Sequence, residues 1–276
     1  MPGRGSGWAF HSWPDKRRIP GMSAFTLENS IVRKIWGDAD VILLLFAGAA
    51  AEYSLHRSVD WLAFTGSILK DPIGRIFATV GFAQDLAFSS AQKSQAKLEQ
   101  INAIHKAVER KRGMSMPDWA HRDVLYLVLD YSERAFTLIH RPLTAEEQEG
   151  IYQYTRRIGE GLGMRGLPGS YPEWRRHRNT IVAENLVYSD YTRELMKAFR
   201  RDLGPWRFQL LLQAQGLITP EPVQALLGLK PLPGLNHAPQ LYRFLVASGL
   251  RSIIQKTLIP PDHLSAVQSL DLSRAA

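Results

Sequence analysis

The stretch from Val41 to Ala51 runs for eleven residues without one polar or charged side chain. As a helix it covers about 16 Å at 1.5 Å per residue, roughly half of the 30 Å hydrocarbon core of a bilayer. It is too short to cross a membrane and too apolar for a surface, which leaves burial among other elements. Asp38 or Asp40 stands at its start as a cap, and the helix runs on to about Leu55. Gly48-Ala49-Ala50-Ala51 forms a patch without bulk, against which another helix or a flat cofactor can approach closely.

The segments around it also read as helices. A first candidate covers Phe25 to Trp36. Asp71-Pro72 opens another, with proline at the first helical position, where its missing N–H costs nothing. That helix reaches about Leu86, and Ser89-Ser90 connects it to a long helix from Ala91 to Arg112, stopped by Gly113. Pro117-Asp118 begins a largely buried one. Thr144-Ala-Glu-Glu147 is a capping box, and its helix ends near Gly161-Leu-Gly163; Ser170-Tyr-Pro-Glu173 is a second box. Further helices are expected near 189–203, 205–215, 219–228 (capped by Thr219) and 239–257. No strand-like alternation lasts beyond a few residues and no internal repeat occurs. The expected fold is all-α: one globular multi-helix domain over 23–260, after a Gly-, Pro- and Arg-rich lead-in at 1–22 and before a tail at 261–276.

Composition narrows the chemistry. With 276 residues and 45% hydrophobic content the chain can bury a sizeable core. It has no cysteine, which excludes disulfides, thiolate zinc sites, iron–sulfur clusters and thiolate-ligated haem; protein-bound iron must use His, a carboxylate, Met, Tyr or Lys. The net charge of +8 comes from 34 basic and 26 acidic residues, with local clusters at 110–112 and 175–178. These read as solvated helix faces, so nucleic acid is not the expected partner. The lead-in lacks the apolar core of a signal peptide, and cytoplasmic residence is expected. Trp8, Phe10 and Trp13 beside Lys16-Arg17-Arg18 would serve a peripheral membrane contact. Nucleotide fingerprints and nucleophile elbows are absent.

Eight histidines remain as the best metal ligands, and no two stand at the spacing of a helical two-His site. His105 differs from the rest in placement. Leu98, Ile101, His105 and Val108 follow steps of three, four and three, one stripe of a helix, so the imidazole points with core side chains. Iron on one ring nitrogen fits this placement, and so does a hydrogen bond to a facing helix. Arg75 and Thr79 are four apart on one face of the preceding helix. An antiparallel hairpin turning at Ser89-Ser90 sets Arg75 level with His105. A buried guanidinium there needs an anion, unless it lies at the surface or pairs with Asp71.

Four elements then occur in order: Gly37-Asp38 before the small-residue apolar helix; Asp71-Pro-Ile-Gly-Arg75-Ile-Phe-Ala-Thr79; Ile101-Asn-Ala-Ile-His105-Lys-Ala-Val108; and Arg141-Pro-Leu-Thr144-Ala-Glu-Glu147 followed by Gly159-Glu-Gly-Leu-Gly163. Together, over roughly residues 33 to 228, they resemble the catalytic domain shared by the ER-bound oxygenase mpaB and the rubber oxygenases, or latex-clearing proteins. The resemblance implies a haem b oxygenase, with His105 as the iron ligand and Arg75 and Thr79 as distal polar groups. It implies dioxygen and an apolar, isoprenoid or lipid-like substrate, with Phe77, Phe82 and Leu86 as candidate lining. Ala78 stands where latex-clearing members carry a lysine, which implies either a sixth iron position open to oxygen or water or an altered cofactor arrangement. The family's His-Pro pair in the apolar helix is replaced around Ala47-Gly48, and His56-Arg57-Ser58 echoes a downstream His-Ser. The competing readings are a non-catalytic helical haem- or ligand-binding protein and a basic helical interaction module. Oligomeric state is left open.

Overall fold

In the computed structural model, which describes residues 26, 29–57, 67–234, 237, 238, 240, 242, 267 and 269–271, helix α2 (Ala39–Leu55) is the element the others surround. Asp38 is its cap: Oδ1 accepts from the Asp40 N–H at 2.9 Å and the Val41 N–H at 3.4 Å. Its buried residues come from every side of the helix, among them Val41, Ile42, Leu45, Ala49 and Leu55. α1 (Ile31–Trp36) leads into it, shorter than the expected Phe25–Trp36 helix; residue 25 lies outside the described residues, and 29 and 30 are not helical.

α6 (Asp118–Ile139) makes the most extensive packing against α2, with α10 (Pro205–Ile218) crossing on another side. The small-residue patch serves this packing. A Cβ on Gly48 would lie 2.4 Å from the Tyr131 ring and 2.8 Å from Ile218 Cγ2, so helices, not a cofactor, occupy the close approach. Asp38 also ties α2 to the end of α6, its Oδ2 lying 2.9 Å from His140 Nε2.

After the one-turn helix α3 (Ser67–Lys70), α4 (Pro72–Phe88) and α5 (Ala91–Arg112) form the expected hairpin. Asp71 caps α4 through the Gly74 N–H at 2.8 Å, and Ser90 caps α5 through the Lys93 N–H at 3.4 Å. The Ser94 hydroxyl donates to the Leu86 carbonyl at 3.2 Å. Lys97 pairs with Asp85 at 2.7 Å and lies 5.0 Å over the Phe82 ring. Gly113, at φ 73°, ends α5 in the left-handed conformation that glycine adopts without penalty.

α7 (Ala145–Gly161) starts on the full Thr144–Glu147 capping box. Its last turn receives α5: the Asn102 side chain donates to the Gly161 carbonyl at 3.1 Å, and Leu98 fills the space where a Gly161 Cβ would sit. At α8 (Tyr171–Glu184) the expected second box does not close. Ser170 makes no side-chain cap, and Glu173 accepts instead from the Gly169 N–H at 2.7 Å. α9 (Asp190–Leu203) follows, capped by Ser189. Thr219 donates to the Gln215 carbonyl at 2.6 Å and so closes α10 rather than opening α11 (Glu221–Leu227), whose cap position is Pro220.

The described residues contain no strand; one isolated antiparallel bridge joins His56 to Leu186. The lead-in at 1–22 and most of the 239–257 helix lie outside the described residues. Within the stretch expected as a tail, Val267 and Leu270 are buried in the main core, and Gln84 reaches the Leu270 carbonyl at 2.9 Å.

Candidate active site and an adjoining apolar cavity

His105 sits on the inward stripe of α5, half-buried like Ile101 and Val108 and above the fully buried Leu98. Its ring stacks on that of His121, from the first turns of α6, at 4.5 Å between centroids and 24° between planes. The α5–α6 connection makes this meeting possible. Gly113 reverses the chain, and Glu109 Oε1 accepts the Met116 N–H at 2.7 Å, holding the start of α6 against the end of α5. Burial, and then the neighbouring His121, push the His105 pKa down to about 4, with Glu109 opposing. The imidazole is therefore neutral at pH 7 and keeps a lone pair, the form in which histidine binds a metal. Burial also lowers His121, whose Nε2 is buried without a hydrogen-bond partner among the described residues.

Arg75 and Thr79 share one face of α4, and both are exposed. The Thr79 hydroxyl donates to the Arg75 carbonyl at 3.0 Å, so its proton is committed to its own helix. Of the three placements open to Arg75, the surface one is observed. The Asp71 carboxylate is engaged at Gly74, and no hydrogen bond or ion pair among the described residues joins Arg75 or Thr79 to His105. The Arg75 charge does reach α2: Tyr53 is raised well above 10 by burial and then by Tyr191, and Arg75 opposes that rise.

The opposite face of α4 borders a cavity of about 460 Å³. Ile73, Ile76, Phe77 and Val80 supply the α4 wall. α2 contributes Leu43, Leu44 and Ala47, α10 contributes Leu210, Leu211, Ala214 and Leu217, and Tyr242, Val267 and Leu270 close one side. Of the three expected lining residues Phe77 is there; Phe82 faces Lys97 and Leu86 packs at the hairpin base. None of Arg75, Thr79 and His105 lines it.

A buried ion network ties α2, α6 and α8 together. Arg178 grips Glu52 with two bonds, of 2.6 and 2.7 Å, and reaches Asp130 at 3.2 Å. Arg175 adds a 2.6 Å bond to Asp130 and another to Glu133, and Arg134 lies 3.2 Å from Asp130. The Tyr131 hydroxyl donates to Glu52 at 3.0 Å. Three carboxylates thus meet three guanidinium groups. The 175–178 cluster consequently does not form a basic surface, since Arg178 is fully buried and Arg175 faces acids. Nearby, His56 is buried 3.4 Å from Asp123.

Residues 33–249 match the family model described as ER-bound oxygenase mpaB/B'/Rubber oxygenase, catalytic domain. The chain belongs to this family. No curated protein and no solved structure matches it. Membership makes the chain oxygenase-related and agrees with the all-helical architecture. No helix among the described residues is long and apolar enough to cross a membrane.

Two observations bear on a haem. Among the described residues no three His, Asp or Glu side chains gather as a metal site, whereas a haem iron asks the protein for one axial ligand. His105 meets that demand, being inward, neutral and backed by a ring whose Nε2 is an orphaned buried polar atom. Sequence reasoning missed His121. Its only signal is its position one turn into a helix that follows a glycine reversal, and a stacking contact between separate helices has no spacing rule.

Proposed function

We propose that the protein is a haem b-dependent oxygenase of an apolar small molecule, with His105 as the iron's protein ligand and dioxygen as co-substrate. The observation that carries the reading is the inward-facing, half-buried His105 imidazole stacked on His121, within the span matched to the oxygenase family. When bound, the haem supplies the oxygen chemistry. The chain's own contribution is positional. The α5 stripe aims the imidazole, His121 holds its plane by stacking, and the pair's burial keeps a proton off the ligating nitrogen. Arg75 and Thr79 are the polar groups proposed for the oxygen side. Both are exposed on α4, so in this reading Arg75 would bring up to five donors from the surface, while Thr79, bonded to its own helix, would offer an acceptor first. An apolar substrate would be held by the aliphatic cavity across α4, which none of His105, Arg75 and Thr79 lines.

The test is an absorption spectrum of the purified protein with pyridine haemochrome analysis, on wild type and His105→Ala. Wild type should show a Soret band with about one haem per chain, and the variant should lose it. Full haem content in the variant refutes the ligand assignment.

A further inference from the structure

We infer that the cavity between α2, α4 and α10 takes the tail of a single-chain amphiphile with an anionic head, and that Arg207 receives the head. This deepens the apolar-substrate part of the proposed function; it rests on the cavity serving that substrate and not on His105. Along α10 the lining runs from Arg207 through Leu210, Leu211, Gln213 and Ala214 to Leu217. That is about 15 Å at 1.5 Å per residue, cationic at one end and mostly aliphatic thereafter, with the Gln213 oxygen already accepting the Leu232 N–H at 2.9 Å. The volume of about 460 Å³ lies inside the range of small-molecule sites, about 300–1,000 Å³. Among the described residues the walls are otherwise aliphatic or aromatic, with Asp40, Gln213 and the Tyr242 hydroxyl the other polar side chains, few groups to recognise a hydroxylated or heterocyclic scaffold along its length.

Arg207 supplies the second, independent observation. Among the described residues its buried Nε has no hydrogen-bond partner and no carboxylate pairs with it, while its guanidinium lies over the Trp206 ring at 4.3 Å. The arginines of the buried network, Arg134, Arg175 and Arg178, are by contrast all matched to acids. A desolvated N–H without an acceptor is costly, and a carboxylate arriving with the ligand satisfies it. The other charged side chain of the lining, Asp40, lies in the first turn of α2 and has a partner of its own within the chain. A carboxylate head is the chemistry that Arg207 fits best, through a planar, bidentate pair.

The experiment is isothermal titration calorimetry of the full-length protein, at ligand concentrations below micelle formation. The probes are octanoate, decanoate and dodecanoate, with decanol and decyltrimethylammonium as head-group controls. Each added methylene should tighten binding about fourfold, the burial value of one CH₂. Decanoate should bind at least about tenfold tighter than decanol, and the ammonium weaker than both. Arg207→Met should abolish the carboxylate's advantage while leaving decanol affinity unchanged, and Arg207→Lys should retain part of it. Ala214→Trp, which fills the cavity, should weaken decanoate and decanol alike, with circular dichroism confirming that each variant is folded. Equal affinity of wild type for decanoate and decanol, an unchanged decanoate affinity in Arg207→Met, or an unchanged affinity in Ala214→Trp each overturns the assignment. So does the absence of binding by any chain length. Haem content is measured on the same preparations. Discrimination by protein lacking iron would sink the haem reading and leave this one standing; haem-loaded protein that binds none of the probes would do the reverse.

Discussion

Replacing Arg178 by methionine removes the one cation among the described residues that holds Glu52. The side chain is fully buried and so are both its partners, Glu52 and Asp130. The loss falls unequally on the two. Asp130 keeps Arg175 at 2.6 Å and Arg134 at 3.2 Å, whereas Glu52 keeps only the Tyr131 hydroxyl at 3.0 Å. One carboxylate is left desolvated without a counter-charge, and breaking such a pair from one side costs about 3–5 kcal/mol. Against a typical total of about 5–15 kcal/mol this is a large fraction, and at about 2–4 °C per kcal/mol for a chain of this size the melting point falls by roughly 6–20 °C. Urea titration followed by circular dichroism measures it, with the transition midpoint moving and the slope held. The reasoning makes a second demand. Glu52→Gln in the Arg178→Met background removes the stranded charge and should recover most of the loss, because replacing both partners of a buried pair is far cheaper than removing one. A single variant within 1 kcal/mol of wild type, or a double variant no more stable than Arg178→Met, refutes the argument.

The same network sets an acid limit. Burial alone would raise the Asp130 carboxyl, but Arg178, then Arg134 and Arg175, outweigh it and hold the group below its ordinary value of 3.8. A depressed carboxyl stabilises fully above the unfolded value and loses that contribution as pH falls through the folded one. Glu147, held down to about 2 chiefly by its hydrogen bonds to Arg141, acts in the same sense below 4.5. Thermal unfolding should therefore be insensitive to these groups above about pH 5 and weaken steadily below pH 4, and a stability that rises on acidification there would contradict the pairing. Gly48→Ala pushes a methyl to 2.4 Å from a Tyr131 ring that the Glu52 bond keeps from swinging aside. The expected cost by denaturant titration is about 1–3 kcal/mol, and a neutral result would show that α2 and α6 can part freely.

How much of this was open to reading from the letters depends on whether a feature is local. Asp71-Pro72, Ser90, Gly113 and the Thr144–Glu147 box each act within four residues, and each stops or starts a helix where expected. Ser170-Tyr-Pro-Glu173 has the same letters as a capping box, yet the chain bends one residue earlier and Glu173 takes the Gly169 N–H. The extended Ser170 backbone does not by itself fix which neighbour the glutamate meets. Arg75 marks the limit of the hairpin argument. Reflection about the Ser89-Ser90 turn pairs residues to within one position near the base, as the Ser94–Leu86 and Lys97–Phe82 contacts attest, but it says nothing about exposure. The Glu52–Arg178 pair, 126 residues apart, has no local signature at all. In the sequence Glu52 is one acid just after an apolar run, and Arg178 is one of three arginines in a basic cluster.

The stacked histidines show why a ligand's chemistry is harder to read than its position. The stripe of Leu98, Ile101, His105 and Val108 places an imidazole inward by periodicity alone. Whether that imidazole can bind iron at pH 7 depends on its proton, since the ordinary histidine value near 6.5 leaves a substantial charged fraction and a metal must compete for it. Two things tip the balance here, and both come from tertiary structure. Burial in the helix packing removes water from the ring, and His121 of α6 lies 4.5 Å away, where a second positive charge would be repelled. His121 arrives there because Gly113 turns the chain and Glu109 clamps Met116. A turn of different length would leave His105 on the same stripe and more readily protonated. The neutral imidazole that the proposed ligand role needs is therefore a property of the α5–α6 corner, and a helical repeat reveals only the His105 half of it.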